Sequence, residues 1–125
     1  MAQSDFPAYD PQNIFARILR GEIPNRSVLE TPHALAFHDI HPQAPVHVLV
    51  IPKGAYVDFA HFAAKASADE IADFHRCAAR VCDMVGVNGD GFRAISNAGG
   101  HGHQEVPHYH LHILGGRPLG PMLVR

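Results

Sequence analysis

Apolar positions change period along this chain, and the changes mark its elements. After Asn13, the residues Ile14, Phe15, Ile18 and Leu19 recur on one side of a helical count, and Gly21 follows as a stop; this spacing predicts a short amphipathic helix. Three stretches rich in branched and aromatic residues come next: SVLET (27–31), ALAFHDI (34–40) and VHVLVIP (46–52). Pro, His and Gln clusters suited to turns separate them, so they predict strands of an antiparallel meander. The clearest helix is predicted from Ser67 to Val85. Ser67 with Glu70 three residues on forms a capping box, and Ile71, Phe74, Cys77, Ala78, Val81 and Val85 mark one face. VGVNGDG (85–91) ends it. Two further strands, FRAISN (92–97) and HYHLHIL (108–114), flank the Gly-rich loop AGGHGHQEVP. Two helices laid on an antiparallel sheet of about five strands make an α+β domain.

Residues 1–12 are rich in Pro, Asp and Gln and show no period, which predicts a poorly ordered leader before a single domain over 13–125. A chain of 125 residues with 46% hydrophobic and 18% charged residues fits one soluble globular domain. No apolar run approaches the ~20 residues a membrane span requires. The N-terminal stretch lacks the basic start and apolar centre of a secretory signal, so a cytoplasmic protein is expected. The formal net charge is −2 and the ten Lys and Arg are scattered singly, so the electrostatic footprint of a nucleic-acid binder is missing. Cys77 and Cys82 stand five apart on the long helix; that spacing predicts two free thiols on different helix faces.

The candidate chemistry lies in PHYHLHILGG (107–116). On a strand, His108, His110 and His112 share one face, while Tyr109, Leu111 and Ile113 face the other and enter the core. Eleven histidines among 125 residues make such a run possible by chance. Three readings follow from the residues alone. The histidines could decorate a half-exposed strand. They could ligate a metal, although positions four apart on a strand lie ~13 Å apart; such a site would use His108 and His110, or His110 and His112, with a partner such as His47, His101 or His103. Or one imidazole could attack an electrophile while its neighbours fix its tautomer and stabilise charge. Phosphorus is the electrophile that suits a neutral imidazole near pH 7.

HYHLHIL resembles the His-φ-His-φ-His-φ-φ signature of the histidine triad (HIT) superfamily. NIFARILRGEIP (13–24), LAFHDIHPQAPVHVLVIPK (35–53) and the 97–117 stretch, with GGR after the triad, look like its nucleoside phosphoramidate hydrolase branch. The resemblance implies a HIT-like sheet continued across a homodimer. It also implies hydrolysis of the P–N bond of purine nucleoside 5'-phosphoramidates through a covalent nucleotidyl-histidine, with no cofactor and no required metal. A purine nucleoside monophosphate or phosphoramidate would be the ligand. By the same resemblance, His110 is the expected nucleophile, His112 bonds a phosphate oxygen or leaving atom, and His108 supports them in a network that His47 can join. Asp39 is the expected acceptor for the ribose hydroxyls, although a turn aspartate is the plain alternative. Ile14, Phe15, Ile18, Phe37 and Ile40 match base-pocket positions, and the same residues are ordinary core candidates. Asn97 and Gln104 match polar positions of the phosphate region.

Two features depart from that pattern. Glu105 stands where many members carry a serine, which favours a cationic amine as leaving group. The chain has no Trp, and its tail, PLGPMLVR, leaves only Met122 or Leu123 for the part a C-terminal Trp plays in some members. His101 and His103 are read as solvated loop residues. A dinucleoside polyphosphate hydrolase and a nucleotide-binding adaptor with vestigial activity remain alternatives.

Overall fold

The computed structural model describes residues 6–124. Its elements run α1 (Ile14–Leu19), β1 (Ser27–Glu30), β2 (Ala34–His38), β3 (Val46–Pro52), α2 (Phe59–Lys65), α3 (Ala68–Met84), β4 (Phe92–Ile95) and β5 (Leu111–Gly115). All five strands form one antiparallel sheet in the order β1-β2-β3-β5-β4. The expected α+β sheet is therefore present, and the first three strands form the expected meander.

Two helix signals, the Gly21 stop and the Ser67–Glu70 capping box, act as read, and the structure adds a cap. Asn13 caps α1, its Oδ1 accepting the Ala16 N–H at 2.9 Å. At the other end Gly21 takes φ +79°, a left-handed turn that a side chain would disfavour. Ser67 and Glu70 close both halves of the capping box on α3, an arrangement whose serine contributes about 1 kcal/mol.

Three corrections apply. The structure has three helices among the described residues where two were expected: α2, FAHFAAK, is capped by Asp58 and buries only Phe62, too little apolar periodicity to announce itself. The last strand begins at Leu111 and not at His108. Pro107 cannot donate to a ladder, and the Tyr109 N–H bonds the Tyr56 carbonyl in a loop rather than a strand. Alternation nonetheless persists through 108–110: Tyr109 packs in the core with Phe74, while His108 and His110 meet Phe15 on the other side. Finally, Cys77 and Cys82 are both buried in one cluster; the inward side of α3 is broad enough to hold residues five apart.

The sheet is covered on both sides. On one, α3 lays Phe74, Cys77, Ala78 and Val81 on Ala34 and Ala36 of β2, Val48 and Val50 of β3, and Tyr109 and Ile113. On the other, Phe15 and Ile18 of α1 pack on Leu35, Phe37, Leu49 and Ile51. β2 and β3 are buried on both faces and so read as near-continuous apolar runs. Of the expected leader, residues 1–5 lie outside the described residues. Residues 6–12 form no helix or strand, but Phe6 stacks on His61 with ring centroids 4.8 Å apart, and Asp10 accepts two hydrogen bonds from Asn13.

Candidate active site

The second face of the sheet carries the histidines. His47 on β3 pairs opposite Leu114, and Leu49 pairs opposite His112. The two histidines are thus diagonal neighbours on one face, and His47 Nε2 lies 2.9 Å from His112 Nδ1. His108 and His110 precede β5 on the same side and are buried.

Backbone partners fix the tautomers. His110 Nδ1 lies 2.7 Å from the carbonyl of His108. A carbonyl can only accept, so Nδ1 bears the proton and Nε2 keeps its lone pair. The Gln43 N–H donates to His47 Nδ1 at 3.1 Å, so in neutral His47 the proton sits on Nε2 and is donated to His112 Nδ1. His112 in turn carries its own proton on Nε2. His108 Nε2 lies 2.8 Å from the Pro52 carbonyl and must donate to it, leaving Nδ1 to accept from the Tyr9 hydroxyl at 2.6 Å. Among the described residues, Ser96 Oγ alone is a buried side-chain polar atom without a partner. The unbonded nitrogens of His110 and His112 are therefore open to the pocket these residues line.

Burial keeps these rings neutral. It pushes His108 down to about 4 against the opposing pull of the Pro52 carbonyl. It also pushes His112 down to about 4, with His110 and His47 adding to the effect. His110 is lowered by burial, partly opposed by its bond to the His108 carbonyl and by the Asp39 and Glu105 carboxylates. His47 is lowered by burial against the pull of Asp39. At pH 7 the site therefore holds a neutral imidazole with a free lone pair beside a neutral imidazole with a free N–H, one poised as nucleophile and one as donor.

A cavity of about 220 Å³ opens in front of them. Of the sequence-predicted residues it brings together Ile14, Phe15, Ile18, Phe37, Asp39, Ile40, Glu105, His110 and His112. Helix α1 supplies the first three, and β2 with the turn after it supplies Phe37, Asp39 and Ile40. Phe15 sets its ring at 83° to His110, with centroids 4.9 Å apart, an edge contact that holds the imidazole upright. Asp39 spends Oδ1 on the His41 N–H at 2.8 Å and keeps Oδ2 3.4 Å from His47 Nε2. It is both a turn aspartate and a pocket carboxylate.

His47 and His108 stand behind the cavity and not on its wall, and Asn97 and Gln104 do not line it. The Gln104 amide is committed to its own loop: Nε2 donates to the Val57 and Val106 carbonyls at 2.6 and 3.0 Å, and Oε1 accepts from Gly99. Sequence reasoning missed Ile23, Pro24, Asn25, His38, Leu49 and Val106, which also line the cavity. Leu49 was findable, since alternation puts it on the face of His47; the loop residues carried no such signal. A wider cleft of about 710 Å³ lies elsewhere, between Gly86–Arg93 and Gly116–Leu119. It contains no histidine, so size does not identify the site.

Among the described residues one trio could hold a metal: a ligand atom from each of Asp39, His47 and His112 lies within 4.8 Å of the others. A cation there would displace the proton that His47 donates to His112 and break the relay between them.

The HIT domain family matches residues 20–119. The chain belongs to the HIT domain family. It is 58% identical over 117 residues to an uncharacterised HIT-like protein of Azospirillum brasilense, covering 94% of this chain and 96% of that one. It is 41% identical over 112 residues to the purine nucleoside phosphoramidase of Escherichia coli K12, covering 90% and 93%. Among solved structures, a HIT family hydrolase from Clostridium thermocellum superposes with a TM-score of 0.82 at 34% identity, covering 90% of this chain and 97% of that one. A histidine triad protein from Clostridium difficile gives 0.80 at 38%, covering 88% and 95%. No helix among the described residues is long and apolar enough to cross a membrane.

Proposed function

We propose that this HIT protein is a hydrolase that cleaves the P–N bond of purine nucleoside 5'-phosphoramidates through a nucleotidyl-His110 intermediate. The observation that carries this reading is the tautomer pattern: His110 Nε2 is deprotonated by geometry, beside a His112 Nε2–H, at the mouth of an apolar slot. The purine stacks among Ile14, Phe15, Ile18 and Phe37, and the ribose hydroxyls donate to Asp39. His110 Nε2 then forms a bond to phosphorus as the bond to nitrogen breaks.

The anionic phosphoryl group brings with it the charge that favours a second proton on the His47–His112 pair. His112 passes that proton from Nε2 to the departing amine. In the second step water attacks the nucleotidyl-histidine, returns a proton to His112 and releases the nucleoside monophosphate, so atoms and protons balance over the cycle. The likeness to the E. coli phosphoramidase supports the substrate class. Strand β4 is an edge of the sheet with Phe92 exposed, which supports continuation of the sheet across a homodimer.

The test is single-turnover hydrolysis of a fluorogenic adenosine phosphoramidate by wild type and His110→Ala, each with chelator. The expected result is a loss on the order of 10³ or more in the variant and no effect of chelator. Equal rates in the two proteins would overturn the covalent reading. Faster turnover of diadenosine tetraphosphate by the wild type would move the substrate to dinucleoside polyphosphates.

A further inference from the structure

The match to the HIT domain begins at residue 20, and the sequence pattern gives the preceding leader no task. Tyr9 lies in that leader, yet its hydroxyl reaches His108 Nδ1 at 2.6 Å. The His108 ring is wholly buried, with its Nε2–H already committed to the Pro52 carbonyl. Nδ1 is consequently a buried acceptor, and among the described residues Tyr9 is its donor.

The contact is built rather than incidental. Asn13 donates both its side-chain and backbone N–H to the Asp10 carbonyl, at 2.8 and 3.2 Å, and Arg20 Nη1 donates to the Pro11 carbonyl at 2.7 Å. Helix α1 therefore holds the two residues after Tyr9 in place, and Phe6 on His61 anchors the segment before it. The strap ends over the back of the histidine network, where the His108 carbonyl orients His110 Nδ1–H.

We propose that Tyr9 is a positioning residue: its hydroxyl locks the His108 ring, and His108, through its carbonyl, fixes the tautomer and aim of the His110 imidazole. The effect on turnover rests on His110 being the nucleophile; the effect on the imidazoles does not. Phenylalanine in place of Tyr9 keeps the ring packing and deletes only the donor, which leaves His108 Nδ1 unpaired in a buried site and lets the ring shift toward any water it can reach.

The experiment is long-range proton–nitrogen correlation NMR on protein labelled with ¹⁵N-histidine, for wild type, Tyr9→Phe and Arg20→Ala, with kcat and KM for an adenosine phosphoramidate. Wild type should show His108 Nδ1 as a hydrogen-bonded acceptor and His110 as the single Nδ1–H tautomer. In Tyr9→Phe, His108 Nδ1 should move to the position of an unbonded imine nitrogen and the His110 signals should broaden or shift. Its kcat should fall about five- to ten-fold, the scale of one net hydrogen bond, with KM within about two-fold. Arg20→Ala, a surface change that frees the strap, should move the same signals less and in the same direction. Unchanged His110 signals in Tyr9→Phe overturn the proposal, and so does an unchanged kcat beside shifted signals. A wild type that hydrolyses no phosphoramidate overturns the proposed substrate alone, because the His110 signals still decide whether Tyr9 positions that ring.

Discussion

The two faces of the sheet share strands and differ in what they bury. Val48 and Val50 of β3 meet the helix α3 in a layer of Phe74, Cys77, Val81, Tyr109 and Ile113 that contains no buried imidazole. His47, Leu49 and Ile51 of the same strand meet a smaller layer under α1, interleaved with four buried or half-buried imidazoles. Burying an uncharged imidazole is tolerable when each polar nitrogen has a partner, and the partners here are largely backbone groups of Gln43, Pro52 and His108. The helix face supplies the apolar burial that lets the other face spend part of its area on a cavity. Stability and chemistry are thus separated by a single residue step along one strand.

That separation predicts which changes cost activity and which cost folding. The largest expected effect is on the histidine face, where His110→Ala abolishes turnover by on the order of 10³ or more while its melting temperature stays within a few degrees of wild type. A variant that lost both together would break the comparison. On the helix face, Phe74, wholly buried against Phe62 and Tyr109, should cost about 3–5 kcal/mol when changed to Ala, measured by urea unfolding. AMP binding should persist wherever that variant is folded.

Acid sharpens the contrast next. His108 and His112 are held near 4 by burial against an ordinary value of 6.5. The unfolded chain therefore binds protons that the folded one refuses. Their contribution to stability is fully present above pH ~6.5 and is lost as pH falls toward ~4, on the order of 2–3 kcal/mol for the deeply buried His108. Unfolding free energies at pH 7, 5.5 and 4.5 should fall in that order, and His108→Asn, if folded, should flatten the decline. A flat profile in the wild type would mean that the folded chain takes up these protons as readily as the unfolded one, so that burial does not hold the imidazoles neutral. The smallest effect belongs to the pocket rim. Glu105, exposed beside the cavity, should favour cationic over anionic amine leaving groups, and Glu105→Ser should reduce that preference about two- to five-fold, the range of an exposed charge pair. Identical relative rates in the two proteins would remove Glu105 from substrate choice.

Much of this arrangement was legible before any coordinates. The capping box of Ser67 and Glu70, the Gly21 stop, the three-strand meander and the common face of His108, His110 and His112 are local patterns, and each forms as its period demands. Helix α2 escaped because one buried Phe in seven residues carries no period. The start of β5 was misplaced because a strand's ends depend on its neighbours, and no strand lies opposite His108. Gln104 was matched to the phosphate region, yet its amide is consumed by carbonyls as distant in sequence as Val57.

The sequence by itself determined which residues could do chemistry and which side of a strand they would share, since side-chain direction follows from backbone period alone. Tertiary structure alone decided what most of the imidazole nitrogens do. The His110 tautomer follows from a carbonyl only two residues away, but whether His112 presents an N–H and whether the His108 ring is spanned between Pro52 and a tyrosine ninety-nine residues away depend on groups brought within about 3 Å by packing. A tautomer is set by its partners, and partners distant in sequence leave no periodic trace.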